Sequence, residues 1–133
     1  TVSNFTAYSD NFLEVMNLKK LEQQIVHNMK MLDIYKPEFD MTISIYASLL
    51  DQYQQLEKDF RKSKFTVAED TGYSDNKKKS PIVGSLESLR KDILAYSNAL
   101  GLTPAGLKKI NDDANKKKKT QSKLEMALDN FGT

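Results

Sequence analysis

The chain has 133 residues, 39% of them hydrophobic and 29% charged, with a formal net charge of +2. That length suits one domain with a modest core. No Cys is present, which excludes disulfides and thiolate metal centres and agrees with a reducing compartment. Nor is there a run of about 18 apolar residues to span a membrane.

Thr1 to Asp10 is small and polar, and lacks the basic and apolar regions of a signal peptide. It is expected to be poorly ordered, and a chain opening on Thr reads as trimmed. From about Asn11 to Leu32, Leu18, Leu21, Ile25 and Leu32 share a helical face with Met29 beside them. No Gly or Pro interrupts, so an amphipathic helix is expected. Asp33 to Lys36 connects. Pro37 suits the first position of a second helix, where no amide hydrogen is needed. That helix should run to about Lys64, with Ile43, Tyr46, Leu50, Tyr53 and Phe60 as its stripe, widened by Leu49 and Leu56. A stripe so broad touches more than one neighbour. The short connection makes an antiparallel pair the expectation.

Phe65 to Ser80 breaks the helical pattern. Phe65-Thr66-Val67 is strand-like, Asp70-Thr71-Gly72-Tyr73 reads as a turn, and Ser74 to Ser80 is polar with a basic cluster, Lys77, Lys78 and Lys79. A small β-hairpin and an irregular loop both fit, and a partly ordered loop is the preferred reading. Ser80-Pro81 then opens a third helix. Its Ile82, Leu86, Leu89, Ile93, Tyr96 and Leu100 are spaced 4, 3, 4, 3, 4, a heptad seam. The seam has two readings, against the first two helices or against another subunit. Helices this few and this broadly striped make a thin monomer, so an oligomer is favoured.

Leu100 to Leu107 is a helix stop followed at once by a helix start. Gly101 fits the C′ position, where a left-handed backbone is usual. Leu102 is placed to fold back on the preceding turn. Thr103 is a good N-cap and Pro104 a good first residue. A short helix carrying Leu107 and Ile110 should follow. From Asn111 the chain reads as a flexible basic tail, with one or two apolar turns at Leu124 to Leu128.

Catalytic chemistry is missing. His27 is the only histidine and reads as a polar helix position. Asp112-Asp113 has no carboxylate partner at a cation-binding spacing, and no glycine-rich phosphate loop occurs. The chain is therefore read as a non-enzyme without metal or cofactor. Lysine clustering carries the functional signal. Lys77, Lys78, Lys79, Lys108, Lys109, Lys116, Lys117, Lys118 and Lys119 are candidate contacts to DNA phosphates, with Lys123 in the same cluster. Such contacts hold the duplex without reading its bases.

One stretch carries a family resemblance. Pro81, Leu86, Leu89-Arg90, Leu94 and then Leu100-Gly101-Leu102-Thr103-Pro104 resemble the C-terminal signature of small terminase subunits from tailed phages and prophages, in the branch called P-twenty-seven. The upstream order of helices is similar, so the likeness runs from roughly Leu13 to Ile110. It implies a non-enzymatic factor that forms rings, binds double-stranded viral DNA in the host cytoplasm, and passes it to a large subunit carrying ATPase and nuclease. Many small terminases carry an N-terminal helix-turn-helix, and the first two helices here lack a convincing signature of one.

The combined expectation is an all-α fold of three to four helices over residues 1–110, for oligomerisation and DNA packaging. A flexible basic segment follows at 111–133. Two other readings stand beside it. One is a helical transcription regulator that binds DNA as a dimer, with Pro104 to Ile110 as a short recognition helix. Ala105, Gly106 and Leu107 offer that helix few polar base-reading groups. The other is a helical adaptor with no nucleic-acid role.

Overall fold

Each of the three prolines opens a helix, and a left-handed residue closes each of the first three α-helices. The computed structural model describes residues 2–70 and 77–132. Helix α1 spans Val2–Met31, and a 3₁₀ turn, Pro37–Phe39, leads into α2, Asp40–Lys62. Strands β1 (Ala68–Asp70) and β2 (Lys77–Lys79) precede α3, Pro81–Ala99, and the long α4, Pro104–Phe131. The class is all-α.

The helix ends share one construction. Asp33, Lys64 and Gly101 have φ of 56°, 57° and 74°. At each, two backbone amides turn back to the last turn of the helix. Asp33 N–H donates to Lys30 O and Ile34 N–H to Met29 O; Lys64 N–H to Arg61 O and Phe65 N–H to Phe60 O; Gly101 N–H to Asn98 O and Leu102 N–H to Ser97 O. This is the Schellman pattern three times over. The apolar residue that follows folds back each time. Ile34 is buried beside Met29, the Phe65 ring meets the Phe60 ring edge-on at 5.4 Å, and Leu102 packs on the core.

Helix α2 is the centre of the bundle, touching α1 on one side and α3 on the other. Ile25 and Met29 of α1, Ile34, then Ile43, Tyr46 and Ala47 of α2, and Leu100 form the core. Polar ties join the outer edges. Ser44 Oγ donates to a Glu22 carboxylate oxygen at 2.9 Å. Arg90 Nε donates to Tyr53 Oη at 3.3 Å, with its guanidinium 5.6 Å from the Tyr53 ring. The heptad seam is turned inward. Leu86, Leu89 and Leu100 are buried, and Ile82, Ile93 and Tyr96 half-buried, within a single chain. The seam is thus a contact within one chain.

Three expectations need adjusting. The polar lead is helical from Val2, because nothing in it breaks a helix. Of the two readings for 65–80, the described residues form the hairpin, with Ala68 opposite Lys79, Glu69 opposite Lys78 and Asp70 opposite Lys77. The expected turn at 71–73 and the polar residues 74–76 lie outside the described residues. Third, the segment from Asn111 is no irregular tail but the body of α4. It holds Lys, Gln, Leu, Met and Glu, all good helix formers, and no Pro or Gly before Gly132. Asp112 and Asp113 also precede Lys116 and Lys117 by four, the favourable order on a helix.

Of the described glycines, Gly106 sits closest to its surroundings. A Cβ there would lie 2.2 Å from Asn98 O and 2.9 Å from Asn98 Cα. Those are backbone atoms of the last turn of α3, so they have little freedom to yield. At Gly101 a Cβ would meet the side-chain ends Ile110 Cδ1 and Ile34 Cδ1 at 2.7 and 2.8 Å, on a left-handed backbone. In chemical denaturation, Gly101→Ala should cost about 1–2 kcal/mol and Gly106→Ala about 3 kcal/mol. Lys64→Gly should do the reverse and stabilise by up to about 1 kcal/mol, because it removes a left-handed side-chain residue.

Candidate nucleic-acid interface

Helix α4 is launched by a rigid joint. Thr103 Oγ1 accepts from the Gly106 amide at 3.1 Å and donates to Asn98 Oδ1. Thr103 O accepts from Leu107 N–H at 2.8 Å. Leu107 and Ile110 pack on the core. From Asn111 to Gly132 every side chain is exposed, so most of α4 stands clear of the bundle. Its 28 residues extend about 42 Å at 1.5 Å each.

Continuity of α4 decides which lysines act together. At about 100° per residue, Lys108, Lys109, Lys116, Lys119 and Lys123 fall within an arc of about 100°. They form a stripe about 22 Å long, with Asp112 in its middle. Lys117 and Lys118 each lie about 80° beyond an edge of the stripe, on opposite sides, with Lys117 in line with Leu124 and Leu128. Leu107, Ile110, Leu124, Leu128 and Phe131 share the side turned away from the stripe. The run of four lysines is thus divided among faces, two of them joining a patch that begins two turns earlier.

The hairpin lysines are placed differently. Lys78 is exposed, whereas Lys79 Nζ bonds a Glu87 carboxylate oxygen at 2.6 Å. Lys77 lies on β2, and its side chain is outside the described residues. The hairpin abuts the first turn of α3 and the joint follows its last. The 19 residues of α3 put about 28 Å between them. The structure therefore does not gather the two lysine clusters at α3. The motif residues Gly101, Leu102, Thr103 and Pro104 build the joint. With Leu100, Gly101 and Gly106 buried, its turn faces the bundle. That geometry, and the length of α4, argue against a short recognition helix there.

Other chemistries find little support. Among the described residues no group of three or more His, Asp or Glu is arranged to hold a metal. No described helix is long and apolar enough to cross a membrane. His27 is exposed on α1. Of the structurally decisive residues, Gly106 had a usable signal: a glycine inside a helix costs stability unless close approach requires it. The Arg90–Tyr53 tie, across 37 positions, had none.

A family model described as phage terminase, small subunit matches residues 19–117, most of the chain. The matched region contains the last part of α1, all of α2 and α3, the hairpin, the joint and part of the α4 lysine stripe. Neither the curated proteins nor the solved structures give a match.

The Lys79–Glu87 pair makes one testable statement about charge. The hydrogen bond from Lys79, and then its positive charge, hold the Glu87 carboxyl below the usual carboxylate range. A depressed carboxyl stabilises the fold above its unfolded pKa and loses that contribution as acid protonates it. In an NMR titration Glu87 should protonate at lower pH than an unpaired glutamate, and Lys79→Gln should move it back up. An unchanged midpoint would show the pair to be unformed in solution.

Proposed function

The chain belongs to the phage terminase small-subunit family, and from that premise we propose that it binds double-stranded viral DNA and brings it to the large terminase subunit for genome packaging. In this reading it acts in the host cytoplasm, as a homo-oligomer, probing DNA without catalysis of its own. The ATPase and nuclease steps belong to the large subunit, as the resemblance implies. Of the described residues, those up to 110 are the body, and 111–131 extend from it as a helical arm.

The observation that carries the DNA reading is the lysine stripe on α4. Lysine is a compact charge on a flexible stem, suited to phosphate rather than to base edges. A stripe of about 22 Å can follow a duplex backbone over roughly two thirds of a turn. Several copies in one assembly would repeat that contact, and linked weak contacts gain strongly in avidity. Lys78 on the hairpin is a second exposed charge in reach of a backbone.

Salt dependence tests this directly. If the five stripe lysines each neutralise a phosphate, affinity per chain should fall roughly 500-fold between 50 and 200 mM salt. The pair Lys116→Gln with Lys119→Gln should lower the salt slope by roughly 2. The pair Lys117→Gln with Lys118→Gln removes the same charge and should change it by less than half as much. Equal effects from both pairs would rule out the stripe. Absence of salt-dependent binding in the unaltered chain would favour the adaptor reading.

A further inference from the structure

Among the described residues, two apolar surfaces that stand partly open to solvent match each other in length. One is the outer half of α4. Leu124, Leu128 and Phe131 stand at i, i+4 and i+7 and are 61%, 62% and 89% exposed. They prolong the helix face that Leu107 and Ile110 press on the core. The other is a groove bounded by α1, α2 and the α3–α4 joint. Leu21, Ile25, Leu50 and Leu102 line it, with Met31 and Leu32 beside them, 75% and 43% exposed. Three helical turns separate Leu21 from Leu32, about 16 Å, and Gln121 to Phe131 spans about 15 Å. A helix with anchors at i, i+4 and i+7 seated in an apolar groove is a recurrent mode of recognition.

The end of α4 does not reach the groove of its own chain. The helix starts at Pro104, two residues beyond Leu102, and is unbroken to Phe131. Leu124 is therefore about 30 Å along a straight helix from Pro104. Charge favours a second copy. After Lys123 the ionisable side chains of α4 are Glu125 and Asp129, and the negative end of the helix dipole adds to them. Gln24 and Asn28 join the groove to a shallow hollow that holds Lys20 and His27. The acidic flanks thus meet a margin whose charged group is Lys20.

We propose that the Leu124, Leu128 and Phe131 face of one copy docks in the α1–α2 groove of the next. The surfaces are unlike, so the contact propagates head to tail and closes as a ring, or closes as a pair when two copies exchange ends. It leaves the lysine stripe turned outward. The proposal rests on the assembly part of the function above and is independent of DNA binding.

The experiment is light scattering on the full chain without DNA. The unaltered chain should exceed monomer mass at high micromolar concentration. Leu124→Glu with Leu128→Glu should be a monomer, and so should Met31→Glu with Leu32→Glu. Mixed in equal amounts, the two variants should form a one-to-one heterodimer, since one intact groove then meets one intact helix end. Phe131→Asp and Met31→Asp, at the most exposed positions of each surface, repeat the test if a double variant loses its helical circular dichroism. Either variant keeping the unaltered mass, or a mixture that stays monomeric, overturns the contact. Loss of mass in the α4 variant alone would mean that α4 ends pair with each other. A monomeric unaltered chain overturns the contact and the assembly reading together, whereas DNA affinity is read separately from its salt slope.

Discussion

The first three α-helices each end where the backbone turns left-handed, at Asp33, at Lys64 with Phe65 after it, and at Gly101. Asp33, Lys64 and Gly101 take left-handed backbone, and each lets two amides close on the turn behind them. The next residue, Ile34, Phe65 or Leu102, is thereby aimed back at the helix it has just left. The stops are therefore also packing elements, and two of the three feed the central core. Because Asp33 and Lys64 tolerate this conformation less readily than glycine, the burial and ring contacts that follow must offset a backbone cost.

The third stop has a further consequence. Gly101 reverses the chain, Thr103 caps, and Gly106 allows the first turn of α4 to lie on the last turn of α3 with main chain against main chain. What leaves that joint is a single amphipathic helix. Its first turns complete the core, and its remainder carries lysines on one side and leucines with a phenylalanine on the other. Cohesion and charge thus occupy different faces of one element, so DNA and a second copy could be held without competing for the same side chains.

How much of this was legible depended on whether the signal was local. The Gly101–Thr103–Pro104 joint was readable because each residue type has a strong preference for its position. Asp33 and Lys64 were not, since neither side chain announces a left-handed backbone. The heptad from Ile82 to Leu100 was plain as a pattern, but the same spacing serves a partner in the same chain or in another. Only the position of α2 resolves it. The hairpin was obscured because its strands are charged rather than β-branched, and depend on cross-strand pairing. The lysine clusters stood out by composition, while their division into a stripe and its outliers required α4 to be continuous. Polarity alone does not separate an exposed helix from an irregular tail; the absence of Pro and Gly between Gly106 and Gly132 does.

The contact of Gly106 with Asn98 also bears on accuracy of assembly. Side chains can be repacked, and an angle set by them drifts as the core changes. An angle set by two main chains resists such drift. In any structure built by repeating one contact, an angular error at each step is multiplied by the number of copies before the ends meet. A joint that fixes the pitch of α4 within one chain would therefore limit the error to be absorbed in closing the proposed ring. Glycine at position 106 acts as a gauge, through the atoms it lacks.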